Sequence, residues 1–155
     1  MTATPGDRAA MTPYEVFELK ERRVLDYDMG GQADLFAEDG VMEFPFAPPG
    51  VPRRLEGREA IRTVLGTAAE RARQAGVRLE WHGEYTVHQT GDPEVIVVEF
   101  EARGRGADER VHRVPYLQVL RVRDGQIVHF RDYWSIETAA PLWGEAAAAA
   151  LQAGR

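Results

Sequence analysis

Cysteine is absent from the 155-residue chain, and lysine occurs once, at Lys20. The first absence excludes disulfides, thiolate metal sites and a cysteine nucleophile, and it suits a reducing compartment. The second leaves one candidate for Schiff-base chemistry; Lys20 is expected on the charged, solvent-facing side of a helix, which sets that chemistry aside. No run approaches the roughly 18 apolar residues of a membrane span, so no membrane partner is expected. The net charge of -6 suits phosphate backbones poorly, because their binding rests on clustered cations, and no nucleic acid is expected either. The polar N-terminus has no basic start leading into an apolar core, which predicts no secretory signal and a cytoplasmic chain. There is no phosphate loop, nucleotide fingerprint or internal repeat. The four histidines fall on mismatched faces and spacings, so neither a cofactor nor a metal is predicted.

What is present is an ordinary globular balance, 44% hydrophobic and 28% charged, in a length that fits one domain with a core and a pocket. Residues 1–11 are small and polar without period and read as a disordered tail. Thr12-Pro13-Tyr14-Glu15 carries the signature of a capped helix start, and Val16, Phe17, Leu19, Val24 and Leu25 continue it to about 28. Gly30-Gly31 breaks that helix. A short helix over 32–36 and a strand over 41–46 follow, and Pro45 marks the strand's edge or end. The apolar loop 47–52 reads as a rigid surface loop or a lid. Ile61, Val64, Leu65, Ala68, Ala69 and Ala72 define a helix over 56–74.

From there the period changes from about 3.6 to 2. Runs over 77–89, 94–103, 110–122 and 126–137 are separated by turn sequences such as Asp124-Gly125 and read as an antiparallel meander. A final alanine-rich helix from Glu145 has little to bury. The domain spans 12–138, with 139–155 as a helical extension. This order places helices on one face of a curved sheet and leaves a concave site between them.

Three segments resemble the nuclear-transport-factor-2-like superfamily, which includes ketosteroid isomerase and SnoaL-type cyclases: Leu35-Phe36-Ala37-Glu38-Asp39-Gly40, Glu56-Gly57-Arg58-Glu59-Ala60-Ile61, and the strand DGQIVHFRDYWS at 124–135. The resemblance implies an α+β fold: a cone-shaped, curved, mixed but mainly antiparallel sheet wrapped over N-terminal helices (an α+β barrel) with a central apolar pocket. It also implies a homodimer through the convex face. Carried over by position, the steroid isomerase's general base falls on Phe44 and its protonated oxyanion aspartate on Gln118. Its oxyanion tyrosine falls near Arg23 or Val24. That set is therefore missing.

Period-2 geometry puts Phe130, Asp132 and Trp134 on one face of the last strand, and the resemblance makes that face concave. Asp132 is accordingly the predicted acid-base group, with a pKa raised by its apolar wall. The alternative leaves it as a structural acid paired with Arg54 or with an Arg131 from a neighbouring subunit. On the preceding strand His112, Val114, Tyr116 and Gln118 share a face. Gln118 and Tyr116 are expected to donate to a developing oxyanion, and His112 is a further catalytic candidate at the rim. Met42, Phe44, Phe46 and Val64 form one expected part of the substrate wall. Ile96, Val98 and Phe100, with Phe130 and Trp134, form another, and Trp81 and His82 are placed at the mouth.

The resulting expectation is a cofactor-independent cyclase or isomerase of secondary, polyketide-like metabolism acting on a small apolar carbonyl or polyene compound. A non-catalytic ligand-binding or accessory subunit is the alternative. An epoxide hydrolase or dehydratase, which needs a second cooperating polar group, comes third.

Overall fold

Thr12 and Glu15 cap the first long helix reciprocally: the Glu15 amide donates to Thr12 Oγ1 at 3.2 Å and the Thr12 amide to Glu15 Oε2 at 2.7 Å. With Pro13 preset for the first turn, these bonds start helix α1, Pro13–Leu25, where the sequence predicts it. The computed structural model describes residues 6, 9–81 and 83–152, the side chains of 81 and 145–152 excepted. Most of the predicted tail, His82 and the Trp81 side chain fall outside the described residues.

Helix α2, Met29–Ala33, contains Gly30-Gly31 and is capped by Asp28, whose Oδ1 accepts from the Gly31 amide at 2.8 Å. The glycine pair thus separates the two helices only by lying at the start of the second. Strand β1, Phe36–Glu43, begins earlier than predicted, because Glu38-Asp39-Gly40 is absorbed as an irregularity between Phe36 and Val41. It ends at Glu43, ahead of Pro45. Strand β2, Arg54–Glu56, pairs with it, and helix α3, Arg58–Gln74, buries Ile61, Val64, Ala69 and Ala72.

The run predicted over 77–89 divides into β3, Arg78–Trp81, and β4, Thr86–Gln89, on either side of Gly83 with its φ of 73°. Both pair with β5, Val95–Arg105, at different points along its length. Strands β6, Val111–Arg123, and β7, Gln126–Tyr133, complete the meander. Asp124 and Gly125 join them with φ of 51° and 71°, the positive pair that a two-residue hairpin turn requires.

The sheet order is β2-β1-β7-β6-β5-β3, with β4 also on β5; β1 and β7 run parallel and the rest antiparallel. The sheet is curved and open, in the cone-shaped arrangement expected from the sequence. Alternation assigns its faces. Ile96, Val98 and Phe100 of β5 and Leu120 of β6 are buried toward the helices, whereas Glu99 and Arg113 face out. Phe17 of α1 enters this core with its ring 4.9 Å from Tyr85 and 5.8 Å from Phe100. Each such fully buried side chain stabilises the fold by about 1.5–3 kcal/mol.

The last helix, α4, Ile136–Gln152, starts well before the alanine tract and bends at Gly144. Its first part, ahead of the alanine tract, is buried: Ala139 and Leu142 join Ala72, Val77 and Val114 in a second apolar cluster.

Candidate functional site

Between the concave sheet face and the helices lies a cavity of about 180 Å³. Small side chains create it. Ala68 and Ala69 of α3 and Ala139 and Ala140 of α4 stand where larger residues would fill the space. Met42, Phe44, Phe100, Phe130 and Trp134 supply the apolar wall from the sheet side. Phe44 packs edge-on against Trp134 with centroids 6.3 Å apart.

Asp132 points into this cavity from β7 and lies directly opposite Gln118 on β6. That register brings Gln118 Nε2 within 3.0 Å of Asp132 Oδ1, to which it donates. Burial in the apolar wall pushes the Asp132 pKa up to about 6, while Lys20 and the Gln118 hydrogen bond pull it down and Glu21 pushes it up. Arg54, one of the two arginines considered as a partner, bonds Glu43 and Glu56 instead. Gln118 is itself 4% exposed, and its Oε1 is buried without a hydrogen-bond partner.

Tyr116 stacks on Phe100 with centroids 5.3 Å apart, and its hydroxyl accepts from Trp143 Nε1 at 2.9 Å. Burial raises the phenol's pKa, so its proton stays on the oxygen. With the indole N–H engaging a lone pair, the hydroxyl hydrogen is left to donate toward the cavity. Tyr27, by contrast, is spent on structure: it donates to the Val77 carbonyl at 2.7 Å and accepts from the Leu79 amide at 3.0 Å.

Of the predicted residues, Asp132, Gln118 and Tyr116 come together in the cavity, with Met42, Phe44, Phe100, Phe130 and Trp134 around them. Several others do not. His112 bonds Asp108 at 2.9 Å near the β5–β6 turn, outside the cavity lining. Phe46 is 65% exposed and rests against Tyr133, because the strand ends before it can turn inward. Val64, Ile96 and Val98 are packed into the main core and Val114 into the second cluster, so they support the wall without forming its surface. The side chains of Trp81 and His82 lie outside the described residues. His129 lies on the opposite face of β7 from Asp132 and bonds Glu43 there.

Lys20 is the principal correction. It is 1% exposed, bonded to the equally buried Glu21, and both line the cavity. Its ammonium lies 5.2 Å from the Phe17 ring centroid and 5.1 Å from that of Phe130, so it faces inward and not toward solvent. The signal was in the period: Lys20 and Glu21 stand four residues after Val16 and Phe17, on the same helix stripe. Trp143 was missed as well, within the segment read as an extension. Among the described residues, no group of three or more His, Cys, Asp or Glu side chains is arranged to hold a metal ion.

Comparison with known proteins bears on this geometry. An uncharacterized PhzA/B-like protein of Pseudomonas aeruginosa is 34% identical over 93% of this chain and 99% of its own length. A Bacillus subtilis crystal structure named "Putative Isomerase" is 28% identical and superposes with a TM-score of 0.75, covering 92% of this chain and 96% of the other. A "putative polyketide cyclase" from Pseudomonas putida, 16% identical with a TM-score of 0.66 over 86% of this chain and 98% of its own, shares the fold. The model of the SnoaL-like domain matches residues 4–130, from ahead of the α1 cap to Phe130 beside Asp132. With that match covering α1 through most of β7, though ending before Asp132 and α4, the chain belongs to the SnoaL-like domain family, within the nuclear-transport-factor-2-like superfamily.

Proposed function

We propose that the protein is a cofactor-independent isomerase or cyclase acting on a small apolar carbonyl compound, with Asp132 as its acid-base group. The observation that carries this is a carboxyl in an apolar cavity whose pKa is raised to about 6 and whose orientation Gln118 fixes. Near neutral pH such a group is ionised yet basic enough to accept a proton from carbon beside a carbonyl. The negative charge that then develops on the carbonyl oxygen is met by the Tyr116 hydroxyl. Asp132 returns the proton at another carbon, or the enolate carbon attacks a second carbonyl to close a ring and Asp132 returns the proton to the alkoxide oxygen that this leaves. The aromatic walls hold the substrate in the reacting shape. Similarity to structures named as an isomerase and a polyketide cyclase supports the same reading. No arginine lines the cavity among the described residues, so the Asp-Arg-Asp set of an epoxide hydrolase has no support.

Exchange of α-protons tests it directly. In D2O the protein should catalyse deuterium uptake into a bicyclic ketone such as 2-tetralone, and Asp132→Asn should lose more than about a hundredfold of that rate. Saturable binding of the ketone with no exchange above the Asn variant would instead favour a non-catalytic binding subunit.

We also infer a homodimer, cytoplasmic as the lack of cysteine suits, formed through the convex face. Val97, Leu117 and Val119 form a partly exposed apolar row there, ringed by Glu99, Glu101 and Arg113. Light scattering that gives a monomer at working concentration would remove this assignment.

A further inference from the structure

Lys20 and Glu21 occupy places on the inward stripe of α1 where two apolar residues would pack at no electrostatic cost. Taking an ammonium and a carboxylate out of water is expensive, and a buried ion pair seldom repays that through stability alone. The pair therefore calls for another role. Phe130, whose ring carries the ammonium at 5.1 Å, is two residues from Asp132 on the same strand face. Lys20 is thereby fixed over the wall from which Asp132 projects.

Among the described residues, the rest of the cavity lining around Asp132 carries no charge. From β6 it faces the Gln118 amide and the Tyr116 hydroxyl. Across the cavity α3 presents Leu65, Ala68 and Ala69, and α4 presents Ile136, Ala139 and Ala140. The charged groups lining the cavity with Asp132 are Lys20 and Glu21, both from α1. Charges that share a largely apolar cavity act strongly on one another, because little water screens them.

We propose that Lys20, seated by Glu21 between the rings of Phe17 and Phe130, is a positioning residue that sets the proton affinity of Asp132. The ammonium favours the carboxylate that accepts a proton, and Glu21 both holds the ammonium in place and partly offsets its field. This rests on the reading of Asp132 as the acid-base group.

The test is the titration of Asp132 itself, followed by the carbon-13 shift of its carboxyl and assigned by loss of the signal in Asp132→Asn. Lys20→Met should raise the midpoint by about one unit, a tenfold gain in proton affinity, and Lys20→Arg should restore it. Glu21→Gln should lower it. If Lys20→Met does not fold, the Lys20→Met/Glu21→Gln double variant, which leaves no buried charge unpaired, replaces it and should still titrate above the Glu21→Gln protein. A midpoint unmoved across these variants, or one moved equally by Met and Arg, overturns the proposal. The readout needs no substrate. A shifting midpoint in a protein that exchanges no ketone protons would retire the proposed activity and keep the role of Lys20, and an active protein with a fixed midpoint would do the reverse.

Discussion

Gln118 Nε2 donates to Asp132 Oδ1 at 3.0 Å across a directly paired position of β6 and β7. A hydrogen bond to the ionised form favours it, so this contact opposes the burial that raises the Asp132 pKa. Gln118→Leu keeps much of the volume and removes the donor. The acid limb of the exchange rate against pH should then move upward by about half a unit to one unit, and the rate at pH 6 should fall several-fold. An unmoved limb would mean that Gln118 only packs.

Asp132 should also cost stability where it is ionised. Its pKa rises from 3.8 unfolded to about 6 folded, so between those values the folded chain binds more protons than the unfolded one. Stability attributable to this group is therefore full below about pH 4, is lost as pH rises through about 6, and is level above that. Asp132→Asn, which stays neutral throughout, should be more stable than the parent by about 2–3 kcal/mol at pH 8. Urea unfolding across pH should show that gap closing toward pH 4. A constant gap would assign it to something other than ionisation.

The capped start of α1, the stripe of α3 and the meander strands were legible because each obeys a local period or a turn chemistry. So was the placing of Asp132, which needed alternation from Phe130 to Trp134 together with the family resemblance that makes that face concave. Local period said nothing, however, about which inward residues meet a void and which meet other side chains. Ile96 and Val98 alternate as Phe100 does, yet only Phe100 reaches the cavity. That outcome depends on the alanines facing it from α3 and α4. Lys20 was misplaced because charge was weighed above period, although Glu21 beside it supplies the partner a buried ammonium needs. Trp143 was lost for a different reason: alanine-rich sequence signals a helix and gives no sign of where it docks.

Trp143→Phe should show that the last helix belongs to the site. The substitution keeps most of the ring's volume and removes the N–H that reaches the Tyr116 hydroxyl at 2.9 Å. One lost hydrogen bond should cost about 1 kcal/mol of stability. Exchange should fall roughly three- to tenfold as the Tyr116 hydroxyl loses its fixed direction, and Tyr116→Phe should fall further. The acid limb, which belongs to Asp132, should stay in place. Activity indifferent to Trp143→Phe would detach α4 from the chemistry.

Gly104 of β5 sets how closely α4 and β3 approach the sheet. A Cβ there would lie 2.6 Å from the Arg78 carbonyl oxygen and 3.0 Å from Leu142 Cδ1. The first contact is with backbone and cannot yield by rotating a side chain, so β3 would have to draw away from β5. The second would push out Leu142, which is 1% exposed and helps seat α4. Gly104→Ala should therefore cost about 2 kcal/mol or more in urea unfolding. Gly66 makes the matched control: it lies inside α3 on an exposed position, and an added Cβ meets nothing within 4 Å. Gly66→Ala should gain roughly 0.5–1 kcal/mol from helix propensity alone. Opposite signs for one added methyl group would show that close approach at Gly104, and not chain entropy, governs the docking of α4. A loss no larger at Gly104 than at Gly66 would remove it from that role.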